Sequence, residues 1–249
     1  MNILVLLKRV PDTASKIKVA ADGMTIDPAG VEMVINPYDE IAVEQAIQLK
    51  EAGGGNITVL CLGPKVATKE IRTALAMGAD DGILLIDETP GRDAVSTANA
   101  LAAAARDVEF DLVLAGWKSV DTDDGAVAHL LAEKLGIPCV TLITKLEAGD
   151  GQMVAHREVE GVTEVVEVKL PAMLTVQKGL VEPRYTSLKG IMMAKRKKID
   201  ERAAEAGEPK IRILSMIPPP IRPEGRIVGE GADAVPALVQ ALSDEQKLF

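Results

Sequence analysis

Cysteine, histidine and aromatic side chains are all scarce in this 249-residue sequence, and each shortage removes a class of chemistry. The two cysteines, Cys61 and Cys139, each sit in an apolar, strand-like run with no second cysteine or histidine at ligand spacing, so they read as core residues. His129 and His156 lie apart, with no third ligand or nucleophile beside them, and read as structural. No Ser/His/Asp or Cys/His set suggests itself. Neither G-x-G-x-x-G nor G-x-x-x-x-G-K-[ST] is present, which leaves a standard dinucleotide fingerprint and a P-loop unsupported. No apolar run approaches the roughly 20 residues that span a bilayer. Met1 leads almost directly into a strand, with neither a signal peptide nor a transit sequence, so a cytoplasmic protein without membrane insertion is expected. Positive charge is in deficit too. A net charge of −9 argues against non-specific binding to nucleic acid or to anionic lipid, with the cluster at residues 195–198 as a local exception.

What remains is an ordinary globular composition, 47% hydrophobic and 26% charged, long enough for one large core with a small appendage. Residues 2–7, NILVLL, form a continuous branched apolar run, the pattern of a strand buried on both faces in a parallel sheet. A polar loop and a small hairpin excursion over residues 16–35 follow. Asn36 is suited to N-cap a helix that Pro37 opens, with Asp39 and Glu40 complementing its dipole and Ala42, Val43, Ala46, Ile47 and Leu49 forming its buried stripe.

Further strands are expected at 56–62, 82–86, 112–115 and 139–143, alternating with helices at 66–77, 93–105 and 125–135, the second of these capped by Asp93. This rhythm defines an α/β fold, a doubly wound parallel sheet of five strands. From Gln152 no helix intervenes between strand-like runs at 153–156, 165–168 and 172–176, which suggests an antiparallel β addition. Pro218, Pro219, Pro220 and Pro223 forbid regular structure in an extended C-terminal arm. The arm ends in an apolar helix over 232–242, with Val235, Leu238, Val239 and Leu242 on one side, to be docked on its own core or on another chain.

In an open parallel sheet ligands bind beyond the carboxyl ends of the strands, so the loops after Leu7, Leu62, Ile86 and Gly116 are the places to look. The last of these places Ser119, Val120, Asp121, Thr122, Asp123, Asp124 and Gly125 before a helix N-terminus, where free backbone N–H groups favour a phosphate. Three carboxylates beside a phosphate repel it. They could bind ribose hydroxyls, cap the helix, or hold a cation that meets the phosphate. The residues alone describe a nucleotide-binding α/β domain without visible catalytic machinery.

One stretch fits no ordinary fold rule. Residues 181–198, VEPRYTSLKGIMMAKRKK, run from a proline-anchored turn through an apolar centre to four cations expected in the last turn of a helix. Cations at a helix C-terminus are favoured by the macrodipole, and a charge run is usually a solvated face, so the stretch also suits a plain helix end. Yet Val181, Glu182, Pro183, Arg184, Tyr185, Leu188, Ile191, Met192, Ala194, Lys195, Lys197 and Ile199 match V-E-P-R-Y-x-x-L-x-x-I-M-x-A-K-x-K-x-I. That pattern resembles the signature of the β subunit of electron transfer flavoproteins. The likeness extends to Lys8-Arg9-Val10-Pro11-Asp12, to Asn36-Pro37, to the run from Ile71 to Asp80 and to the tail, and so covers nearly the whole chain.

The resemblance implies a Rossmann-like, adenine-nucleotide-hydrolase-like domain over residues 1–180, a partner-recognition segment over 181–199, and a C-terminal strand and arm over 200–249 that docks on a partner subunit. It implies an electron carrier without catalytic residues of its own, paired as a heterodimer with an α subunit that holds most of the redox FAD. AMP would lie in this subunit, contacted by Leu6, by Asn36, Pro37, Tyr38 and Asp39, by Leu62, and by the loop from Ser119 through Ala126, Val127 and Ala128 to His129. Electrons would enter from an acyl-CoA dehydrogenase of fatty acid oxidation and leave to a membrane quinone oxidoreductase. Pro183, Arg184, Tyr185, Leu188, Ile191, Met192, Lys195 and Lys197 would form the recognition segment, with Leu188 as the dehydrogenase anchor. The aromatics, Tyr38, Phe110, Trp117, Tyr185 and Phe249, are few for a chain that must hold a flavin ring by itself. Members that bind a second FAD in place of AMP and oxidise NADH there show D-G-D-T-A-Q-V-G-P where this chain has DTDDGAVAH. AMP is therefore expected, with a bifurcating subunit as the alternative. A universal-stress-type nucleotide sensor, from another class, would show a glycine-rich phosphate loop near its last strand, and none is found.

Overall fold

The computed structural model describes residues 1–88, 91–205, 207–222, 224–245, 247 and 248; Pro223 and Phe249, named above, lie outside that set. The first strand, β1 (Asn2–Leu7), is the N-terminal apolar run. Two short strands then leave the main sheet, β2 (Arg9–Pro11) pairing antiparallel with β3 (Met33–Ile35), and a single bridge from Val19 to Ile26 marks the hairpin excursion between them. Next come α1 (Pro37–Gly53) and β4 (Asn56–Gly63), then a 3-10 turn at Lys65–Ala67 leading into α2 (Thr68–Met77). They are followed by β5 (Asp81–Ile86), α3 (Ala94–Ala105), β6 (Leu112–Gly116) and α4 (Val127–Leu135). The strands β7 (Cys139–Ala148), β8 (Gln152–Val159), β9 (Val162–Lys169) and β10 (Ala172–Val176) run on without a helix between them. α5 (Leu188–Ala194) and β11 (Ile199–Ala203) complete the regular structure of a first compact unit, Met1–Ser215. A second unit, Met216–Phe249, holds a 3-10 turn at Ala232–Ala234 and α6 (Val235–Asp244), whose Val235, Leu238 and Val239 are exposed.

Among the described residues the main sheet has nine strands, in the order β11-β5-β4-β1-β6-β10-β7-β8-β9. Every neighbouring pair from β11 to β7 is parallel, and β8 and β9 extend it antiparallel. The expected class holds, but the parallel part exceeds the five strands expected. Residues 172–176 do not belong to the antiparallel addition: β10 inserts between β6 and β7, parallel to both. Its sequence, AMLTV, is buried at every position, which is what a central strand covered on both faces requires. At the opposite edge, β11 adds to β5 through a sequence, IDERA, in which only Ile199 is buried. The edge position asks little apolar surface of it, which is why its pattern reads as polar.

Along β1, alternate side chains enter opposite cores. Ile3, Val5 and Leu7 pack with α1 and α2, whereas Leu4 and Leu6 pack with the alanine-rich face of α3 and with α4. Cys61 is fully buried, and burial pushes its thiol up to about 12. From β1 the chain crosses to β4 on one side and later to β6 on the other, so the order in which strands are added reverses between β1 and β6. That is the switch point at which an open α/β sheet forms its crevice.

Candidate functional site

A cleft of about 280 Å³ opens at this switch point. Its apolar floor comes from the α3/α4 side of the strand ends, with Leu6, Leu60, Leu62 and Ala115, and from Leu101, Val127 and Ala128 on the helices above them. The N-terminus of α1 ties the strand ends together. Asp39 accepts the Lys8 amide at 2.8 Å through Oδ2 and the Gly116 amide at 3.0 Å through Oδ1, joining the ends of β1 and β6. Burial pushes the Asp39 carboxyl up to about 6, against the opposing pull of those hydrogen bonds, of Asn36 and of the Lys8 charge.

Asn36 stands at the N-cap position, as expected, but its side chain does not cap α1. Its Nδ2 donates to the Lys118 carbonyl at 2.9 Å and its Oδ1 accepts the Val120 amide at 3.2 Å. The side chain instead ties down the loop after β6, pairing two of its part-buried backbone groups.

The acidic loop solves its charge problem with lysines. Lys8 Nζ reaches Asp121 at 2.8 Å and Ser119 Oγ at 3.1 Å, and Lys118 Nζ reaches Asp123 at 2.7 Å while lying 4.5 Å from the centre of the Trp117 ring. Burial would raise the Asp121 carboxyl, yet Lys8 and the hydrogen bonds around it outweigh burial and hold it below its ordinary value. Asp124 accepts the Ala126 amide at 3.4 Å, outside the helix, and no side chain caps α4. The first amides of α4 therefore keep the electropositive end of the helix open beside Val127 and Ala128, both in the lining. Among the described residues no cluster of His, Cys, Asp or Glu could hold a metal ion.

The third wall is the entry to α3. Asp93 caps it with a full capping box, accepting Ser96 N at 2.8 Å while Ser96 Oγ accepts the Asp93 amide at 3.1 Å. The same carboxylate accepts the amides of Lys210 and Ile211, and with Ser96 as its first donor it is held down at about 2. Arg92 bonds to Asp87 and donates to the Glu205 carbonyl at 2.8 Å, so Glu205, Lys210 and Ile211 are each tied to this wall.

Of the expected nucleotide contacts, Leu6, Asn36, Asp39, Leu62, Ser119, Thr122, Asp124, Gly125, Val127 and Ala128 line the cleft together. Pro37, Tyr38, Val120, Asp121, Asp123, Ala126 and His129 are not part of the lining. Pro37 opens α1, Tyr38 packs edge-on to Trp117 with centroids 5.7 Å apart, and His129 Nδ1 lies 3.0 Å from the Gly125 carbonyl. The loop after Gly116, which includes Trp117 and Lys118, was picked from the sequence, but these two residues, Lys8 and Arg92 were not named as contacts, and all four line the cleft. Lys8 and Trp117 directly follow strands whose ends were already suspect, and that adjacency was the available signal.

The segment expected to recognise a partner forms a second feature. α5 starts at Leu188, N-capped by Ser187, whose Oγ accepts the Gly190 amide at 3.0 Å. Leu188 is 82% exposed, and Tyr185, Met192 and Met193 are exposed with it, while Ile191 is at the margin of exposure. The four cations do not occupy the last turn of the helix, which ends at Ala194; they follow it. The helix end is satisfied from α2 instead, where Arg72 donates to the carbonyls of Ala194 and Lys197 at 2.8 and 3.3 Å, and Lys197 Nζ donates to the Ala79 carbonyl. Arg184 turns inward to α1 and Pro183 and Lys197 are half-buried, so of the expected recognition residues Tyr185, Leu188, Ile191, Met192 and Lys195 are the exposed ones.

Fold and cleft together define a Rossmann-like α/β protein with an open cleft at the switch point of its sheet. A family model described as electron transfer flavoprotein domain matches residues 23–206. The chain is 43% identical over 259 aligned residues to the electron transfer flavoprotein subunit beta of Bacillus subtilis, with all of both chains covered. It is 44% identical to the subunit of the same name from Syntrophomonas wolfei, covering 90% of this chain and 88% of that one, and 38% identical to that of Bradyrhizobium diazoefficiens, covering 98% of each. The chain belongs to the electron transfer flavoprotein family, on its β-subunit side. Among the described residues no helix is long and apolar enough to cross a membrane.

Proposed function

We propose that this chain is the β subunit of a heterodimeric electron carrier that binds AMP in the cleft and docks an acyl-CoA dehydrogenase through the segment around Leu188. The observation that carries the AMP assignment is the cleft itself. Its volume of about 280 Å³ lies just under the usual span of small-molecule sites, roughly 300–1,000 Å³, which suits a mononucleotide better than a second FAD. The uncapped start of α4 suits a phosphate, and the apolar floor of Leu6, Leu62 and Ala115 suits a base. Trp117, in the lining, keeps its indole N–H buried without a partner among the described residues, as expected of a wall completed by a ligand. Lys8 and Lys118 are held at the loop by carboxylates, so an incoming phosphate meets positioned cations and has no free lysine to immobilise.

FAD, held mainly by the α subunit, supplies the redox chemistry, and electrons pass on toward a membrane quinone oxidoreductase. This chain contributes the nucleotide site, part of the wall around the flavin and the docking surface. The exposed apolar side of α6 fits a helix whose folding is completed on the α subunit. The test is the nucleotide content of the protein purified with its α subunit, released by denaturation and separated against AMP and FAD standards. One FAD and one AMP per pair is the expected result. Two FAD and no AMP would replace the simple carrier with a bifurcating enzyme.

A further inference from the structure

Arg184 belongs to the exposed recognition segment in sequence but not in space. Its guanidinium forks onto two carboxylates of α1, with Nε 2.8 Å from Glu44 Oε2 and Nη1 2.6 Å from Glu51 Oε1. Nη2 completes both pairs, at 3.0 Å to each glutamate, and the Arg184 amide also donates to Glu44 at 3.3 Å. Glu44 and Glu51 are seven positions apart, two turns of one helix, so they share a face and a single planar donor can bridge them. Glu44 is only 2% exposed. Burial alone would raise its carboxyl, but the hydrogen bonds from Arg184 and Gln48 outweigh it and hold Glu44 ionised below its ordinary range.

This clamp sits just before the helix that presents Leu188. α5 is seven residues long, far short of the roughly 12–15 residues at which an isolated helix becomes even marginal in water. Its place is set from outside. At its far end Arg72 of α2 holds the Ala194 carbonyl, and at its entry the only charged fork among the described residues of the segment is that of Arg184.

We propose that Arg184 is the positioning residue of the docking surface: by gripping Glu44 and Glu51 it fixes the entry to α5 and presents Leu188 to the donor protein in one place. The inference rests on the reading of this segment as the dehydrogenase-docking surface, and it assigns to the arginine no contact with the donor. Loss of a preorganised presentation costs encounter and leaves the later electron transfer intact, so it raises KM and leaves kcat alone.

The experiment uses the heterodimer with its α subunit, reduced by an acyl-CoA dehydrogenase under steady-state conditions, with amide hydrogen exchange of residues 183–190 as a second readout. Arg184→Gln is expected to raise the KM for the dehydrogenase about tenfold, with kcat and FAD content unchanged and exchange accelerated in that segment. Arg184→Lys, which keeps the charge but not the fork, is expected to restore only part of the loss. Glu51→Gln removes the exposed arm of the fork and leaves Glu44 paired; it is expected to raise KM about threefold, and it decides the matter if Arg184→Gln proves too unstable to purify. Wild-type KM in these variants, with a raised KM in Leu188→Ala, overturns the clamp and leaves the docking surface standing. An unchanged KM in Leu188→Ala as well overturns the docking surface, and the clamp with it. A fall in kcat or FAD content in place of a rise in KM also overturns the proposal, since it marks a role in the fold alone.

Discussion

Gly116 and Asp39 approach so closely that the amide of the first is bonded to the carboxylate of the second at 3.0 Å, and a methyl group on Gly116 would stand 2.6 Å from that same oxygen. It would also stand 2.6 Å from Tyr38 Cβ and 2.9 Å from the Tyr38 carbonyl carbon. The end of β6 and the start of α1 are therefore in direct contact at the edge of the cleft.

Gly116→Ala cannot be absorbed by a flexible side chain, because part of what it meets is backbone. Overpacking of this kind costs about 1–3 kcal/mol. Urea denaturation is expected to show that loss, and the purified heterodimer is expected to carry less AMP. A variant with wild-type stability and full nucleotide content would mean that the contact relaxes freely.

Asp39 gives the protein a pH signature. Its folded value, about 6, lies above its ordinary value of 3.8, so between those limits the folded chain binds more protons at this group than the unfolded chain. The contribution of Asp39 to stability is full below about pH 4 and is lost as pH rises to about 6, a change on the order of 3 kcal/mol. In Asp39→Asn that slope is absent, while the amide presents a donor to one of the two N–H groups the carboxylate accepts. The variant should be less stable than the wild type at pH 4, with the gap narrowing toward pH 6. Denaturation midpoints across that range measure it, and a constant or widening gap counts against the assignment.

Asn36→Ala is expected to cost about 1–3 kcal/mol, through the stranded Val120 amide and Lys118 carbonyl and not through a lost helix cap. Asn36→Asp separates the two explanations. Aspartate caps helices well but cannot donate to Lys118, so it is expected to restore only part of the stability lost in the alanine variant. Full rescue by aspartate would mean that capping matters after all.

Gly190→Ala should behave against its helix propensity. Alanine is favoured over glycine within a helix by roughly 1 kcal/mol, but here its Cβ would stand 2.4 Å from the Ala76 carbonyl of α2. α5 must lift away from α2, so KM for the dehydrogenase is expected to rise while AMP content stays constant. A lower KM, or higher stability with KM unchanged, would show that the short helix tolerates the shift.

The βα rhythm up to β6 was legible because each strand is a continuous apolar run bounded by glycine or polar turns, and β1 matches its expected span residue for residue. β10 was misplaced because its partners are far away in the chain: nothing local distinguishes a parallel strand inserted beside β6 from one more hairpin after β9. Asn36 was misjudged for the same reason. Local chemistry favoured a cap, while the tertiary partner at Val120, 84 positions away, took the side chain. The loops of the cleft could be picked from the switch-point rule alone, but Lys8 could not be paired with Asp121, 113 positions away, until the ends of β1 and β6 were brought together.

α1 carries Asp39 in its first turn and Glu44 and Glu51 further along, and this arrangement makes its length a fixed quantity. Deleting or inserting a single residue between Asp39 and Glu44 would turn the two glutamates about 100° away from Arg184 while leaving Asp39 at the cleft. The helix thus sets a spacing between the two surfaces that changes by whole residues and so cannot drift gradually. Length variation during descent should fall instead in segments such as the excursion between β2 and β3 or the turn between β8 and β9, where added residues displace nothing that the helix holds in register.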